Sequence, residues 1–220
     1  MKQSILLFLL IGSATLYAQS PKFHDAMSQA ITELEKDTTV EQLMAVSNRF
    51  ERIALAEKDQ WLPYYYAAYA RSIAGFITTD KSKVDEVLDG AQKFADIADS
   101  LSPGNSEVVL LKGMVLAGRI SVDPMSRGQQ FGMQSGMLMN QAMQLNPENP
   151  RAYLMIGQGL FYTPEQFGGG KDKGCAMLEQ SRMKFETFEP ESDIHPNWGE
   201  NLLGQMMAPC GGGSSVPHQE

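Results

Sequence analysis

The sequence predicts an all-α protein: a right-handed superhelix of about four helical hairpins, with a final C-terminal helix as a cap. Two observations predict this fold class. Apolar residues recur every three or four positions along most of the chain, as in amphipathic helices, and no segment alternates strictly like a half-buried strand. Similar segments also return at a nearly constant interval, which is typical of proteins built from stacked hairpins.

The first 18 residues predict an export signal. Lys2 precedes an unbroken apolar run at residues 5–11, and the small residue Ala18 stands just before Gln19. This three-part pattern is typical of a secretory signal peptide, and the run is shorter than the roughly 20 apolar residues that span a bilayer. We therefore expect a signal peptide at residues 1–18, a mature protein that is periplasmic or secreted, and no stable membrane anchor.

The mature chain is acidic. Without Lys2 it carries 17 basic residues against 26 acidic ones, which is a net charge of −9 at neutral pH. Because nucleic acids present a phosphate backbone of the same sign, this charge argues against a nucleic-acid partner.

Helix start and stop signals divide residues 19–208 into nine helices and leave residues 209–220 as a flexible tail. Ser20-Pro21 and Asn149-Pro150 are typical of helix starts, and Ser102-Pro103-Gly104 is typical of a helix end. The predicted helices cover about 21–36, 40–56, 62–76, 83–101, 127–145 and 171–185, with three others starting near 106, 150 and 196.

Four small residues mark equivalent places in the repeat. Ala68, Gly113, Gly157 and Gly199 follow one another at separations of 45, 44 and 42 residues. A glycine inside a helix costs up to about 1 kcal/mol relative to alanine, so we expect a neighbouring helix to pack closely at these positions. A single hairpin cannot cover its own apolar face, and the hairpins should therefore stack into a solenoid.

Tyr153, Ile156 and Gly157, which follow Ala142 and Pro147, carry a family resemblance. At this spacing the chain resembles tetratricopeptide-repeat (TPR) proteins, in which a bulky residue, small residues and a terminal proline recur. The resemblance implies an αα solenoid that binds a partner without catalysis. The chain departs from that family in its longer period, because TPR units repeat about every 34 residues.

A narrower resemblance rests on two segments, TPEQFGGGKDKG at 163–174 and HPNWGEN at 195–201. Both are similar to exported bacterial repeat proteins, whose relatives include the periplasmic TPR partner of TRAP transporters. The resemblance implies a non-enzymatic scaffold that binds another protein in the cell envelope and needs no cofactor. The alternative is a TPR protein that binds a small apolar ligand as part of a transport system.

The glycine-rich stretch at 163–174 raises the question of a nucleotide site. A phosphate-binding loop of the Walker type needs Ser or Thr after its lysine and a strand before it, whereas Asp172 follows Lys171 and a predicted helix precedes the loop. We predict a hinge between two helices, with Thr163 as the cap of a short helical turn that the glycines at 168–170 interrupt.

The first helix of each hairpin should line the concave face of the solenoid. Helical spacing predicts an aromatic and apolar stripe along it, and we take this stripe as the candidate binding surface: Tyr65, Tyr69, Leu110, Met114, Leu154, Gln158 and Tyr162. Two interpretations stay open. The stripe is plain core beneath the second helices or the first helix, or it is a groove for an amphipathic helix, an extended peptide or an apolar ligand.

The two cysteines allow a geometric argument. Cys175 lies about as far before the predicted turn near Pro190–Pro196 as Cys210 lies after it, so antiparallel helices would bring the two thiols together. Both a disulfide and two free thiols are compatible with the sequence, and we predict the Cys175–Cys210 disulfide, since exported proteins meet an oxidising environment.

No pattern predicts a catalytic or metal site. The three histidines, His24, His195 and His218, are scattered, and the segment around His195 is typical of a proline-rich turn. The methionines that crowd the sixth helix, among them Met125, Met133 and Met137, are more typical of flexible core filling than of metal binding.

Overall fold

A computed structural model describes residues 21–36 and 39–211. Within these residues the fold is all-α and contains no β-strand, as the periodicity predicts. The helices are α1 (Pro21–Lys36), α2 (Val40–Ala56), α3 (Trp61–Ile77), α4 (Lys81–Leu101), α5 (Ser106–Ile120), α6 (Pro124–Leu145), α7 (Pro150–Tyr162), α8 (Lys171–Phe185) and α9 (Glu200–Met207). The predicted signal peptide and His218 lie outside the described residues.

Side-chain caps fix most of the helix starts. Thr39 and Gln42 form a reciprocal capping box at the start of α2, in which each side chain bonds the backbone amide of the other residue. Asp123 accepts a hydrogen bond from the Ser126 amide at 3.2 Å, and Pro124 occupies the first turn of α6. This cap explains why α6 begins at residue 124 and not near residue 127, where we predicted it.

Three hairpins form the centre of the solenoid: α3 with α4, α5 with α6, and α7 with α8. Glycines permit the close approach inside two of them. A Cβ at Gly113 would lie 3.1 Å from the Cγ of Met139 on α6, and one at Gly157 would lie 2.9 Å from the Cγ of Leu178 on α8. Ala68 is fully buried at the equivalent place on α3.

The prediction for Gly199 was wrong. This residue does not lie inside a helix but precedes α9, with φ of +122°, a conformation that favours glycine. Its lack of a side chain still matters, because a Cβ there would come within 2.8 Å of Phe185 and 3.1 Å of Leu154. The ninth helix accordingly begins at Glu200, four residues later than the proline signal at Pro196 predicted.

The first helices of the hairpins run parallel, so their ends form two distinct edges. The N-terminal ends of α3, α5 and α7 meet through Tyr65, Glu107 and Arg151, whose side chains contact one another. The turns inside the hairpins, at 78–80, 121–123 and 163–170, therefore lie at the other edge, which we call the hairpin edge. The turns between hairpins, at 57–60, 102–105 and 146–149, lie at what we call the acidic edge.

Three methionines of α6 are not core filling, contrary to our expectation. Met125 is 94% exposed, and Met133 and Met137 are also exposed on the outer side of α6, whereas Met139 packs into the core. They lie on the outward face because α6 packs mainly on α5 through the residues near Gly113. None of the described helices is both long enough and apolar enough to cross a membrane.

Candidate functional site

A buried polar cluster joins the N-terminal ends of α3, α5 and α7. Arg151, only 1% exposed, donates from Nε and Nη2 to the carboxylate of Glu107 at 2.8–3.1 Å. The Tyr65 hydroxyl donates to Glu107 at 3.2 Å and accepts from the Trp198 indole at 2.8 Å. The cluster thus pairs the buried Arg151 cation with the Glu107 carboxylate. The Trp198 indole extends it by donating to the Tyr65 hydroxyl.

The two buried groups of this cluster have shifted pKa values. Burial alone would lower the pKa of the Arg151 guanidinium, but the charge and hydrogen bonds of Glu107 outweigh it and raise the pKa overall. Burial raises the pKa of the Tyr65 phenol well above its ordinary value, with the carboxylate of Glu107 adding to the effect. The arginine therefore stays charged and the tyrosine stays protonated at neutral pH.

A non-helical segment, residues 187–198, crosses the concave face and contacts this cluster. We call it the strap. Phe188 lies 4.4 Å from the Arg151 guanidinium, and Arg151 also donates to the Trp198 carbonyl at 3.4 Å. Ile194 is fully buried in the same apolar cluster as Tyr65, and the His195 ring lies 5.9 Å from the Trp61 ring. The strap therefore fills the part of the concave face where the first helices begin.

Two links hold the strap to the rest of the fold. His24 of α1 bonds Asp193, in the middle of the strap, at 2.8 Å, which joins the first described helix to a segment 169 residues away. Cys175 on α8 and Cys210 after α9 form a disulfide, the pair that the turn geometry predicts. This disulfide closes a loop of the chain that contains the whole strap and α9.

The histidine of the strap sits in a different environment from His24. His195 bonds the Ser192 hydroxyl at 2.7 Å and lies 3.2 Å from a carboxylate oxygen of Glu191. Burial lowers the pKa of His195 despite the nearby Glu191 carboxylate, whereas the hydrogen bond that His24 donates to Asp193 raises the pKa of His24. Among the described residues, no group of three or more His, Cys, Asp or Glu side chains could hold a metal ion.

The predicted stripe divides into buried and exposed members. Tyr65, Leu110 and Leu154 are fully buried, Met114 is nearly so, Tyr69 and Gln158 are partly exposed, and Tyr162 is 70% exposed. The core interpretation therefore holds for the first row, where Trp198 of the strap contacts Tyr65 and Leu154 packs with residues of α8 and α9. The open part of the concave face begins one helical turn later, at Tyr69.

Aromatic and apolar side chains line this open part. The rings of Tyr69 and Trp198 stack at 4.7 Å, and Tyr69 also stacks on Tyr65 at 6.2 Å. Trp198 and Leu202 pack against both of the apolar clusters that meet here, one centred on α3 and α5 and the other on α7 to α9. Burial raises the pKa of the Tyr69 phenol, so the side chain presents a neutral aromatic surface.

The C-terminal side of the open part is formed by α7 and α9. The Tyr162 hydroxyl lies 3.8 Å from the sulfur of Met206, and Met206 belongs to the apolar cluster of α7 to α9. The open part thus combines stacked rings, a thioether and aliphatic side chains, and it offers a flat apolar molecule a complementary surface.

The glycine-rich turn takes the form of a hinge. Residues Glu165–Phe167 form one 3₁₀ turn, and Gly168 and Gly170 adopt positive φ values of +89° and +117°. The Lys173 ammonium donates to the Gly168 carbonyl at 2.9 Å. The prediction that Thr163 caps this turn was wrong, because its hydroxyl donates back to the Gly159 carbonyl within α7.

Sequence reasoning missed three groups that organise the site: Trp198, Arg151 and Glu107. Trp198 was assigned to the ninth helix, although it precedes Gly199 in the strap. The signal for the ion pair was present, since Arg151 and Glu107 are charged residues in the first turns of two otherwise apolar helices. The pairing could not be inferred without knowing that the two helices are neighbours.

No protein-family model and no curated protein matches the sequence. Among solved structures, the chain is similar to the HusA haemophore from Porphyromonas gingivalis, with 32% identity and a TM-score of 0.80. The match covers 91% of this chain and 99% of the haemophore.

A second similarity is to an O-GlcNAc transferase mutant from Thermobaculum terrenum, at 12% identity and a TM-score of 0.47, covering 74% of this chain and 27% of that one. This likeness is too weak to carry an argument. Neither structure is a TRAP transporter partner, so that resemblance stays a prediction. The identity to the haemophore over nearly its whole length shows that this chain belongs to the HusA haemophore family.

Proposed function

We propose that this protein is an exported, non-enzymatic carrier that binds haem or a related porphyrin at the open part of its concave face. The observation that carries the proposal is the partly exposed stack of Tyr69 on Trp198, with Leu202 beside it. Membership of a haemophore family supports the choice of ligand. A porphyrin is a flat apolar ring, and aromatic side chains bind such rings by offset stacking.

The proposal makes the macrocycle, and not the iron, the recognised feature. Both described histidines are engaged elsewhere, His24 with Asp193 and His195 with Ser192. The open part instead presents aromatic and aliphatic side chains, and the Met206 thioether beside it is only 5% exposed. We therefore expect haemin and iron-free protoporphyrin IX to bind with similar affinity.

Export accords with the disulfide, because such bonds persist mainly in oxidising compartments outside the cytosol. The finer location, periplasmic or released from the cell, stays a prediction from the signal peptide. Of the two functions that the sequence predicted, the apolar-ligand alternative is the one that the open aromatic surface favours over a scaffold for a protein partner.

Two substitutions test the proposal, using absorbance titration with haemin and protoporphyrin and quenching of tryptophan fluorescence. Tyr69→Ser removes the stacked ring, and we expect a loss of porphyrin affinity of at least tenfold with a modest change in melting temperature. Met114→Ser should instead lower the melting temperature strongly and change porphyrin affinity little, since a side chain that is only 4% exposed belongs to the core.

Two further variants serve as controls. Tyr69→Phe keeps the ring and should bind like the wild type, since no hydrogen bond of the Tyr69 hydroxyl is present among the described contacts. Tyr153→Ser removes a tyrosine of α7 whose hydroxyl bonds Pro147 and whose ring faces Lys184, away from the stack, and should leave binding unchanged. Absence of porphyrin binding by the wild type, or equal binding by Tyr69→Ser, would overturn the proposal.

A further inference from the structure

The two edges of the solenoid differ in their exposed side chains. Three large aromatic residues are prominently exposed in the described structure, and all three lie at the hairpin edge: Phe76 at the end of α3, Tyr162 at the end of α7, and Phe167 in the glycine-rich turn, 74% exposed. Ile77 and Met125 are exposed at the same edge. Tyr162 also contacts Met206 and so borders the open part of the concave face as well.

The charges of the hairpin edge differ from those of the chain as a whole. The turns and the first five residues of the helices that follow them carry five basic residues, Lys81, Lys83, Arg127, Lys171 and Lys173, and five acidic ones, Asp80, Asp85, Asp123, Glu165 and Asp172. Arg127 pairs with Asp85, and Lys83 pairs with Asp80. These segments are thus neutral overall, whereas the whole chain has a net charge of −8.

The lysines nearest the exposed apolar side chains are available for an anion. Lys81 and Lys171 are exposed, each at the first position of a helix, and neither forms an ion pair within the described residues. Lys81 follows Phe76 and Ile77 in the chain, and Lys171 follows Phe167. Each of these exposed apolar side chains thus has, a few residues away in the chain, a lysine ammonium group that forms no ion pair.

The acidic edge provides the contrast. It exposes only aliphatic side chains and methionine, at Leu55, Leu101, Leu145 and Met183, near the ends of the second helices. Exposed acidic groups accompany them. Glu148 and Glu186 pair with Lys184 and Arg182, whereas Asp59 and Glu189 form no ion pair within the described residues. An anionic surface would therefore be disfavoured there relative to the hairpin edge, where Lys81 and Lys171 are unpaired.

We propose that the hairpin edge docks on an anionic lipid surface. Apolar tips would enter the headgroup region while the lysines approach lipid phosphates, a pairing typical of proteins that lie on membranes. A lysine near such a surface contributes about 1 kcal/mol, which is roughly a fivefold change in affinity. Tyr162 borders both surfaces, but the residues changed in the test below, Met125, Phe167, Lys81 and Lys171, do not line the open part of the concave face.

Co-sedimentation with phospholipid vesicles tests the proposal. The mature protein should bind vesicles that contain phosphatidylglycerol and phosphatidylcholine, bind several-fold less at about 1 M salt, where the screening length is about 3 Å, and fail to bind pure phosphatidylcholine. Met125→Ser/Phe167→Ser should weaken binding at least tenfold, because it removes two exposed apolar side chains from the contact. Lys81→Glu/Lys171→Glu should weaken it by a similar or greater factor.

A matched control comes from the opposite edge. Leu55→Ser/Met183→Ser replaces two side chains of comparable chemistry and should leave vesicle binding unchanged. All variants should keep the wild-type melting temperature and porphyrin affinity, which separates failure of this inference from failure of the proposed function.

The proposal is overturned if the wild type binds neither vesicle type, or if the control pair weakens binding as much as the hairpin-edge pair. It is also overturned if light scattering shows that the hairpin-edge variants change only self-association, since the surface would then contact a second copy of the chain.

Discussion

The two rows of side chains along the concave face lie one helical turn apart and differ in burial. Tyr65, Leu110 and Leu154 are fully buried, whereas in the next row Tyr69 and Gln158 keep part of their surface exposed and Met114 is buried. The helices that carry the two rows are the same. The strap contributes to the difference on α3, because it contacts Tyr65 and ends at Tyr69 with Trp198. A non-helical segment distant in sequence thus helps to set how much of the concave face is covered.

The largest effect on the difference between the two rows is expected from replacing Arg151, the arginine beneath the strap. Arg151→Ala leaves the Glu107 carboxylate without its cation and removes the contacts to Phe188 and the Trp198 carbonyl. Losing one partner of a buried ion pair costs about 3–5 kcal/mol, so the midpoint of urea unfolding should fall sharply.

The control for this prediction is Arg182→Ala. Arg182 is an exposed arginine of α8 that pairs with Glu179 and Glu186 at the surface, and its loss should change the midpoint little. Equal effects of the two arginine substitutions would contradict a special role for the buried pair.

The second test removes the disulfide that closes the loop containing the strap. Cys175→Ser/Cys210→Ser opens a loop with a sequence separation of 35 residues, and the loss of such a cross-link costs about 2–4 kcal/mol. Beyond this loss of stability, we expect backbone amides of the strap and α9 to exchange hydrogen faster, while amides of α3 and α4 change less.

Two results would argue against the second prediction. Unchanged exchange in the strap would show that the disulfide does not hold it in place. Uniform acceleration throughout the chain would show a global effect that does not distinguish the two rows.

The smallest effect concerns the tie between α1 and the strap, and it depends on pH. The hydrogen bond that His24 donates to Asp193, together with the carboxylate charge, raises the folded-state pKa of His24 above its ordinary value, while His24 lowers the pKa of Asp193. The stabilisation from His24 is therefore fully present below pH 6.5 and is lost as the pH rises through the folded-state pKa of His24. It is also lost in strong acid, as Asp193 becomes protonated.

The comparison that isolates this tie is wild type against His24→Gln, by thermal unfolding from about pH 5 to about pH 8, a range that brackets the ordinary histidine pKa. The melting temperatures should differ at the acid end and converge at the alkaline end. Because the variant keeps His195, whose pKa is lowered by burial, the contribution of that residue cancels in the difference. A difference in melting temperature that grows with rising pH would contradict the predicted direction of the pKa shift of His24.

Much of the fold could be predicted because its determinants are local. The bounds of α2 and α8 match the prediction, since capping residues and apolar spacing mark both ends within a few residues. The close packing at Gly113 and Gly157 could be predicted too, because a glycine inside an amphipathic helix lowers its stability unless a neighbouring helix packs against that position.

The candidate site was predictable only in part because its determinants are distant. The strap has no periodic pattern, and its proline-rich sequence is typical of a turn; nothing local shows that Trp198 bonds a tyrosine 133 residues away. The residues of the stripe lie on α3, α5 and α7, but which of them are covered depends in part on that remote contact. Tyr69 stays a binding residue by prediction, to be tested by the substitutions above.

The disulfide between Cys175 and Cys210 also determines in which compartment the protein can reach its final structure. A chain still in a reducing cytosol would lack this bond, and its C-terminal part would be free to detach from the preceding helices. Formation of the disulfide in an oxidising compartment would hold α9 against α8. On the proposed function, porphyrin binding would therefore follow oxidation of the two cysteines.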